Sequence, residues 1–361
     1  MRILFISRPS LFRVRGGDTV QMEQTAAALR LRGVEVDIRL ADAGDIDYTD
    51  YDLMHFFNLI RPADVIVHIQ RSQLPFVLSP IYVDYSGVPE GKAFRRFLYR
   101  TAGPFGQEYV KCLARALRNG EKILSWQYLL WGQRRSMAYI LARCAQLLPN
   151  SVSEYQRLKT DFPQAGSYRV VPNGIDVATF AIPPGNELPG YRKDIVLCVA
   201  RFEPRKNQLA LIQALNSLPF ELRLIGATAP NHIAYYEQCR AIAGQRVKFY
   251  SFMSPEELAT VYAQCKVHIL PSWHETTGLS SLEAAAMGCN VVVTRKGDAA
   301  DYFGSDAWYC EPGDVQSIRA AVLAAMEAPV NPLLAQRVRE TFNWERAAQV
   351  SLEAYKNVLS S

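Results

Sequence analysis

The chain has 361 residues, a length that is large for one domain and comfortable for two. Hydrophobic residues make up 49% and charged residues 21%, and no run of 18 apolar residues is present, so we expect a soluble protein without a transmembrane helix. The net charge of +5 is uneven: residues 1–170 carry 23 Lys and Arg against 16 Asp and Glu (+7), and residues 171–361 carry 17 against 19 (−2).

Cysteine and histidine spacing argues against disulfide frameworks and metal sites. The seven cysteines show no Cys-x-x-Cys spacing and several lie inside apolar runs, which is typical of reduced, buried thiols in a cytoplasmic protein. The five histidines show no metal-ligand spacing. The apolar run at 1–7 is too short for a signal peptide and predicts a first strand.

A glycine pair follows this strand. Gly16 and Gly17 come before a helical pattern that runs from about Val20 to Arg32. Glycines between a strand and a helix let the backbone approach a ligand closely, but an ordinary tight loop has the same sequence. Both interpretations stay open at this point.

Strand and helix patterns then alternate. Apolar segments at 33–40, 52–57, 64–69 and 75–84 are predicted to be strands. The alternation predicts a doubly wound parallel sheet, in which ligands bind past the carboxyl ends of the strands. The candidate site residues of this half are His55, Asn58, Ser79, Tyr82 and Asp84. Asp84 is either a catalytic base or ligand contact, or a plain helix cap or turn residue.

Residues 91–143 form a basic segment with eleven Lys and Arg against two acidic residues, and with many aromatic residues among them. Basic residues beside Trp, Phe and Leu are typical of a helix that lies on an anionic membrane surface. The alternative is that the aromatic residues fill a core and the charges form a solvated face. Nucleic acid is not an expected partner, since no binding motif accompanies the charge.

In the second half, an apolar strand at 194–201 leads to a helix that begins near Asn207. Arg201 and Lys206 flank the loop between them, where two cations would neutralise a diphosphate; ordinary surface charges are the alternative. Gly226 and Phe252 end two later strands and are predicted to contact a nucleotide base.

Residues 271–294 read as a loop, a helix and a buried strand. Thr276 and Thr277 are the predicted N-cap residues of this helix. Glu275 and Glu283 frame it, about 12 Å apart at a helical rise of 1.5 Å per residue. The amides of Gly278 and Leu279 would be free at the helix N-terminus, which favours phosphate binding. This layout suits a ligand with hexose, diphosphate and ribose, namely a nucleotide-sugar; a surface helix with two ordinary glutamates is the alternative.

The same stretch resembles the E-x7-E motif of retaining glycosyltransferases of the GT-B fold, family 4. Thr276 and Thr277 replace the usual Gly-Phe. Pro-Asn-Gly-Ile-Asp at 172–176 is similar to the segment that opens the second domain in that family. The matching residues of the motif are Glu275, Gly278, Leu282, Glu283, Ala284 and Gly288.

The resemblance implies an α/β fold of the GT-B type, with two Rossmann-like doubly wound domains facing a central cleft and a C-terminal helix that crosses back to the first domain. The acceptor domain would comprise 1–168 plus the helix at 343–361, and the nucleotide-sugar domain would comprise 169–342. Family 4 members often carry a His-Asp pair after the strand near Tyr82, and no histidine stands there in this chain.

The implied reaction is transfer of a hexose-type sugar, with retention, from a nucleotide diphosphate donor to a hydroxyl of a glycan or lipid-linked acceptor. It would serve cell-surface polysaccharide synthesis, need no metal or other cofactor, and take place in the cytoplasm or on the inner face of the cytoplasmic membrane. A nucleotide-sugar epimerase and a non-catalytic binding homologue are the alternatives. The implied catalytic residues are Glu275, Arg201, Lys206 and Asp84, and the implied donor-binding residues are Gly16, Gly17, Arg201, Lys206, Gly226, Phe252, Gly278, Leu279 and Glu283.

Overall fold

The computed structural model describes residues 1–83, 93–181 and 192–360, without the side chains of 93–102, 118 and 119. The chain divides into two compact units. Unit 1 is Met1–Pro172 together with Trp344–Ser361, and unit 2 is Asn173–Asn343. The first division therefore lies four residues after the predicted boundary at 168.

The strands and helices alternate along both units. The strands are β1 (Arg2–Ser7), β2 (Glu35–Leu40), β3 (Leu53–Phe57), β4 (Phe76–Ser79), β5 (Gln146–Leu147), β6 (Lys193–Val199), β7 (Glu221–Ile225), β8 (Val247–Tyr250), β9 (Cys265–Leu270), β10 (Asn290–Thr294) and β11 (Trp308–Cys310). The helices are α1 (Gly17–Leu31), α2 (Pro62–Arg71), α3 (Ala93–Asn119), α4 (Trp126–Leu141), α5 (Val152–Asp161), α6 (Gln208–Leu215), α7 (Ile233–Ile242), α8 (Pro255–Gln264), α9 (Leu279–Ala286), α10 (Ala299–Phe303), α11 (Val315–Glu327), α12 (Pro332–Thr341) and α13 (Trp344–Leu359).

Unit 1 is built on a five-stranded sheet with the order β2-β1-β3-β4-β5, and every neighbouring pair is parallel. The residues of β3 are all buried, as expected for a central parallel strand covered on both faces. The strand order reverses between β1 and β3, so a crevice is expected past the ends of these two strands.

One predicted strand of unit 1 is wrong. Residues 64–69 lie in α2, not in a strand. Pro62 stands in the first turn of this helix, where its missing N–H costs no hydrogen bond. A short apolar run fits a buried helix as well as a strand, so periodicity alone could not separate them.

The C-terminal helix α13 belongs to unit 1, where its buried face includes Trp344, Ala348 and Tyr355. Leu359, the last residue of this helix, is exposed. The hydroxyl of Tyr355 lies 2.7 Å from Nδ1 of His55, which connects the helix to the centre of the sheet.

Unit 2 is built on a six-stranded sheet with the order β11-β10-β9-β6-β7-β8, again parallel throughout. Numbered from β6, this is the doubly wound order 3-2-1-4-5-6. The switch point lies between β6 and β9, because the connections leave these neighbours toward opposite sides of the sheet. The loops that follow these two strands hold four of the predicted site residues: Arg201, Lys206, Glu275 and Gly278.

Among the described residues, none of the helices taken singly has both the length and the apolar composition to cross a bilayer. The helices α11 and α12, which are bent by 105° relative to each other, together have the length and apolar composition of a broken membrane span. Both of these helices bury residues inside unit 2, including Val322 and Val338.

Candidate functional site

The centre of the site is an ion pair between two loops at the switch point of unit 2. Lys206 ends a short 3-10 turn after β6, and Glu275 lies in the loop after β9. The ammonium of Lys206 donates to Oε2 of Glu275 at 2.6 Å, and the hydroxyl of Ser272 donates to the same oxygen at 3.0 Å. Both ionic side chains are largely buried, with 13% and 10% of their surface exposed.

Electrostatics keeps Glu275 ionised. Burial by itself would raise the pKa of this carboxyl group, but the charges of Lys206 and Arg205 outweigh it, so the pKa lies below its usual value. Glu275 is therefore a carboxylate at neutral pH and a permanent partner for a cation or for hydroxyl groups.

The backbone of Glu275 is held in a fixed position by the loop after β10. Its amide donates to the carbonyl of Lys296 at 3.1 Å, and its carbonyl accepts from the amide of Asp298 at 2.8 Å. Gly297 lies between them with φ of +111°, and a Cβ there would be 1.9 Å from the carbonyl oxygen of Glu275. Only glycine permits this approach. Sequence reasoning missed Gly297, although a glycine three residues after a strand at the ligand edge was a usable signal.

The N-terminus of α9 differs from the prediction. Gly278 is the N-cap, in the left-handed conformation with φ of 67°, and no side chain caps the helix. Thr277 was a predicted cap, but its hydroxyl accepts from Nδ2 of Asn173 at 2.9 Å and lies 3.3 Å from the hydroxyl of Tyr302. A left-handed cap residue is best served by glycine, because it has no Cβ to clash. Leu279 begins the helix, where the first amides have no intrahelical partner.

Glu283 is the second carboxylate of the motif, and its environment is different from that of Glu275. The hydroxyl of Tyr262 donates to Oε2 of Glu283 at 3.1 Å. Desolvation raises the pKa of Glu283 from 4.5 to about 7, and the Tyr262 bond offsets only part of this effect. The carboxyl group of Glu283 therefore changes its protonation state near neutral pH. Hydrogen-bond donors on a bound ligand would favour its charged form.

Arg201 lies at the start of the same loop after β6 and is more exposed than Lys206. Its side chain is 40% exposed, and its guanidinium is 3.7 Å from Glu203. Glu203 also accepts from Arg205 at 3.0 Å. Burial tends to raise the pKa of Glu203, but the surrounding cations, led by Arg205, hold it below its usual value. Glu203 thus joins this cation cluster, a role that sequence reasoning did not assign.

Gly226 and Phe252, the two residues predicted to contact a base, have different surroundings. A Cβ on Gly226 would be 2.0 Å from the carbonyl oxygen of Ala200, so the packing of the β6 and β7 ends already requires glycine there. Phe252 is 73% exposed, just after β8. The ring of Phe252 is therefore available for stacking on a base. The glycine at position 226 is explained by packing between the ends of β6 and β7.

In unit 1, Gly16 is the N-cap of α1 and Gly17 is its first residue. A Cβ on Gly17 would meet nothing within 4 Å, and a Cβ on Gly16 would meet only the carboxylate of Asp18, at 3.0 Å. Gly16 has an extended backbone with φ of −152°, which any residue can adopt. Packing within unit 1 therefore does not explain Gly17, and it explains Gly16 only weakly.

Three of the other candidates in unit 1, His55, Ser79 and Tyr82, make hydrogen bonds within the protein. Nε2 of His55 lies 2.9 Å from the hydroxyl of Ser79, and its other nitrogen faces Tyr355, so this buried ring is fully engaged. Burial lowers the pKa of His55 to about 3, which keeps it neutral. The hydroxyl of Tyr82 donates to Asp161. Asp84 lies outside the described residues.

Asn58 lies at the switch point of unit 1. It has φ of 74°, and its side-chain oxygen accepts from the amide of Ile60 at 3.1 Å. A crevice of about 220 Å³ opens beside it, past the ends of β1 and β3. Its polar lining is formed by Ser7, Arg8, Asn58, Arg61 and Asp64.

Comparison with known proteins decides what kind of domain unit 2 contains. Residues 193–328 match the family profile described as "Glycosyl transferases group 1". These residues form a glycosyl transferases group 1 domain. They include Arg201, Lys206, Glu275 and Glu283.

Three curated proteins that match part of this chain are named as mannosyltransferases or glycosyltransferases. The chain is 29% identical over 184 residues to the "Serotype-specific mannosyltransferase WbdA" of Escherichia coli, covering 46% of this chain and 22% of that protein. It is 27% identical to the "O-antigen chain mannosyltransferase B" of Escherichia coli, covering 44% and 45%. It is 26% identical to the "D-inositol 3-phosphate glycosyltransferase" of Acidothermus cellulolyticus, covering 62% and 55%. The chain thus spans about a fifth to about a half of the length of these relatives.

Solved structures share the fold over the whole chain. The sucrose-phosphate synthase of Thermosynechococcus elongatus has a TM-score of 0.73 at 19% identity, with 99% of both chains covered. Anabaena HepE in complex with UDP has a TM-score of 0.69 at 18% identity, with 99% of this chain and 100% of that chain covered. The GT-B fold predicted from the sequence is confirmed by this likeness.

Replacing Gly226 tests whether packing alone requires glycine there. Gly226→Ala should lower the free energy of unfolding of unit 2 by about 1–3 kcal/mol, because its Cβ would overlap the Ala200 carbonyl. Gly166→Ala is the control, since a Cβ there meets nothing within 4 Å. Urea denaturation followed by circular dichroism measures both. Equal stability of the two variants would contradict this reading of Gly226.

The raised pKa of Glu283 predicts a pH-dependent stability. The folded chain binds this proton more tightly than the unfolded chain, so the free energy of unfolding should fall as pH rises from 4.5 through 7. Glu283→Gln removes the titration and keeps an acceptor for Tyr262. Its stability relative to the original protein should increase between pH 5 and 8 by on the order of 2 kcal/mol. Parallel pH profiles of the two proteins would contradict the shifted pKa.

Proposed function

We propose that this chain is a glycosyltransferase that moves a hexose-type sugar from a nucleotide diphosphate donor to a hydroxyl of a glycan or lipid-linked acceptor, with retention of anomeric configuration. The observation that carries the proposal is the Lys206–Glu275–Ser272 cluster at the switch point of unit 2. This cluster lies within the residues that match the glycosyl transferases group 1 profile.

The donor's two ends are assigned to the two carboxylates. Glu283 would accept hydrogen bonds from the ribose hydroxyls, and Phe252 would stack on the base. The diphosphate would lie at the N-terminus of α9, where the amides of Gly278 and Leu279 and the helix dipole favour an anion. Both internal bonds of Glu275 reach Oε2, so we assign Oε1 to hydroxyl groups of the transferred sugar.

The leaving diphosphate gains negative charge as the glycosidic bond to it breaks. We assign Arg201 and Lys206 to the stabilisation of this charge, without a metal ion. Glu275 would hold Lys206 in place and orient the sugar, with a covalent intermediate on its carboxylate as the less favoured role. Gly16 and Gly17 are also assigned to donor binding, which accounts for a glycine that packing leaves unexplained.

The names of the relatives support a role in cell-surface polysaccharide synthesis. The two Escherichia coli proteins are named as mannosyltransferases, one serotype-specific and one of the O-antigen chain. Structures of HepE were solved with UDP and with UDP-glucose, which supports a nucleotide-sugar donor. We assign the acceptor to the crevice beside Asn58 in unit 1 and the reaction to the cytoplasm or the inner face of the cytoplasmic membrane.

Donor binding is the first test. Thermal shift with UDP-, GDP-, ADP- and TDP-sugars should select one nucleotide, and calorimetry then gives its affinity. Gly17→Ala should weaken this binding at least tenfold while the free energy of unfolding stays equal or rises by up to about 1 kcal/mol, since alanine favours the helix. Binding to none of these donors would contradict the proposal, and unchanged affinity of Gly17→Ala would remove Gly17 from the site.

Turnover and stereochemistry test the reaction itself. With donor and acceptor present, transfer should proceed in EDTA, and proton NMR should show the donor's anomeric configuration in the product. Glu275→Gln should lower turnover by on the order of a hundredfold or more and leave nucleotide affinity nearly unchanged. An inverted product would overturn the retaining assignment, and conversion of the donor without any acceptor would favour an epimerase.

A further inference from the structure

The two helices of the basic segment carry an unusual concentration of exposed apolar side chains. Of the seventeen large apolar residues that are exposed in the described part of the chain, five lie between 110 and 130. They are Val110, Leu117, Trp126, Leu129 and Leu130. Isolated exposed apolar residues need no explanation, but a cluster of this kind is typical of an interaction surface.

Three of these residues form one outward face, which we call the α4 tip: Trp126, Leu129 and Leu130. They stand three and four positions apart on the first turns of α4, a spacing that places side chains on the same side of a helix. Trp126 is 65% exposed and Leu130 is 71% exposed. These three side chains therefore form an exposed ridge of one aromatic and two aliphatic groups.

The α4 tip is held in place by the opposite side of the helix. Tyr128 is almost fully buried, and its hydroxyl donates to Oε1 of Gln133 at 2.8 Å. Gln133 in turn donates to the carbonyl of Ile60 at 2.8 Å. From α3, the hydroxyl of Tyr109 donates to the carbonyl of Leu129 at 2.8 Å. The exposed face therefore lies on a short helical segment, before the break in α4 at Gly132, that these hydrogen bonds hold in place.

The segment carries a net positive charge, with eleven Lys and Arg against two Glu, and both glutamates are engaged in ion pairs. Glu108 accepts from Lys111 at 2.9 Å. Glu121 lies 3.1 Å from Arg61 and 3.7 Å from Arg115.

Several cations of the segment are exposed among the side chains that the structure describes. The exposed basic residues among its described side chains are Lys122, Arg134, Arg135 and Arg143. An apolar ridge with exposed cations and neutralised acids complements an anionic lipid surface, which offers phosphates for the cations and an acyl boundary for the ridge.

We propose that the α4 tip inserts Trp126, Leu129 and Leu130 into the interface of an anionic phospholipid bilayer, with Lys122 and Arg135 on the headgroups. This proposal rests on the exposed surface of unit 1 and is independent of the reaction assigned above. Both interpretations of the segment hold for different residues in its described part. Tyr128 is buried, and Phe105 and Trp131 pack against the core of unit 1. The three side chains of the α4 tip do not fill that core, and the membrane is proposed for them alone.

Flotation of the full chain with vesicles tests the proposal. Vesicles of equal parts phosphatidylglycerol and phosphatidylcholine should bind the protein, and vesicles of phosphatidylcholine alone should bind it at least tenfold more weakly. Lys122→Gln with Arg135→Gln should weaken binding to the anionic vesicles by more than tenfold at low salt, since each cation near the surface contributes about fivefold. Lys356→Gln, an exposed cation on α13 in the same unit, is the matched control and should have no such effect.

The apolar part is tested separately. Leu129→Gln with Leu130→Gln should also lower binding more than tenfold, whereas Leu31→Gln should not, although Leu31 is 90% exposed on α1 of the same unit. The fluorescence of the original protein should shift to the blue on anionic vesicles, and Trp126→Phe should remove most of this shift while it keeps binding. Thermal unfolding checks that each variant is folded.

Several outcomes would overturn the proposal. Equal binding to both kinds of vesicle would remove its electrostatic part, and binding to neither would remove it entirely. Equal loss in Leu31→Gln would mean that the tip is not the docking surface. A dimer that dissociates in the Leu129 and Leu130 variant during sedimentation, without vesicle binding by the original protein, would assign the tip to an interface between copies. None of these outcomes depends on donor binding or on turnover in solution. The membrane proposal and the proposed reaction can therefore fail separately.

Discussion

The candidate site depends on one buried ion pair, between Lys206 and Glu275. Burying two opposite charges costs desolvation energy, and this cost is repaid only by good geometry and additional hydrogen bonds. Ser272 supplies one such bond. Each buried charge is stabilised by the other, so the ion pair holds the loops after β6 and β9 together.

Backbone contacts between the same loops reinforce this arrangement. The amide of Trp273 donates to the carbonyl of Arg205 at 2.9 Å, and Nδ2 of Asn207 donates to the carbonyl of Pro271 at 3.2 Å. Behind Glu275, the close approach of Gly297 adds the loop after β10. The cations and the carboxylate are thus positioned before any ligand arrives, which is the condition for strong electrostatic stabilisation of a developing charge.

The glycines of the chain separate into two groups when each is compared with its surroundings. Gly226 and Gly297 are required by the protein itself, because a Cβ would overlap a neighbouring carbonyl. Gly17 has open space where its side chain would be. A glycine that packing does not require, at the start of a helix beside the end of a strand, is better explained by a ligand than by the fold. Packing is therefore enough to explain Gly226, although its predicted contact with a base stays a prediction, and packing does not explain Gly17.

Local sequence was sufficient for most of the fold. Short apolar runs, glycine stops and the E-x7-E spacing predicted both parallel sheets, the loop-helix-strand unit around Glu275 and Glu283, and the place of Arg201 and Lys206 after β6. These are properties of neighbouring residues. The same kind of reasoning failed at 64–69, where an apolar run of six residues is compatible with a strand or a helix and only packing in unit 1 decides between them.

Tertiary structure decided the rest, because those features depend on residues that are distant along the chain. Sequence could not show that Lys206 and Glu275, 69 residues apart, are partners of each other. It could not show that Thr277 turns to Asn173 and leaves the cap to Gly278, or that burial brings the pKa of Glu283 near neutrality. Nor could it tell which aromatic and basic residues of the 91–143 segment face solvent. Distance and burial arise only when the strands are ordered in the sheet, and the switch point between β6 and β9 is a product of that order.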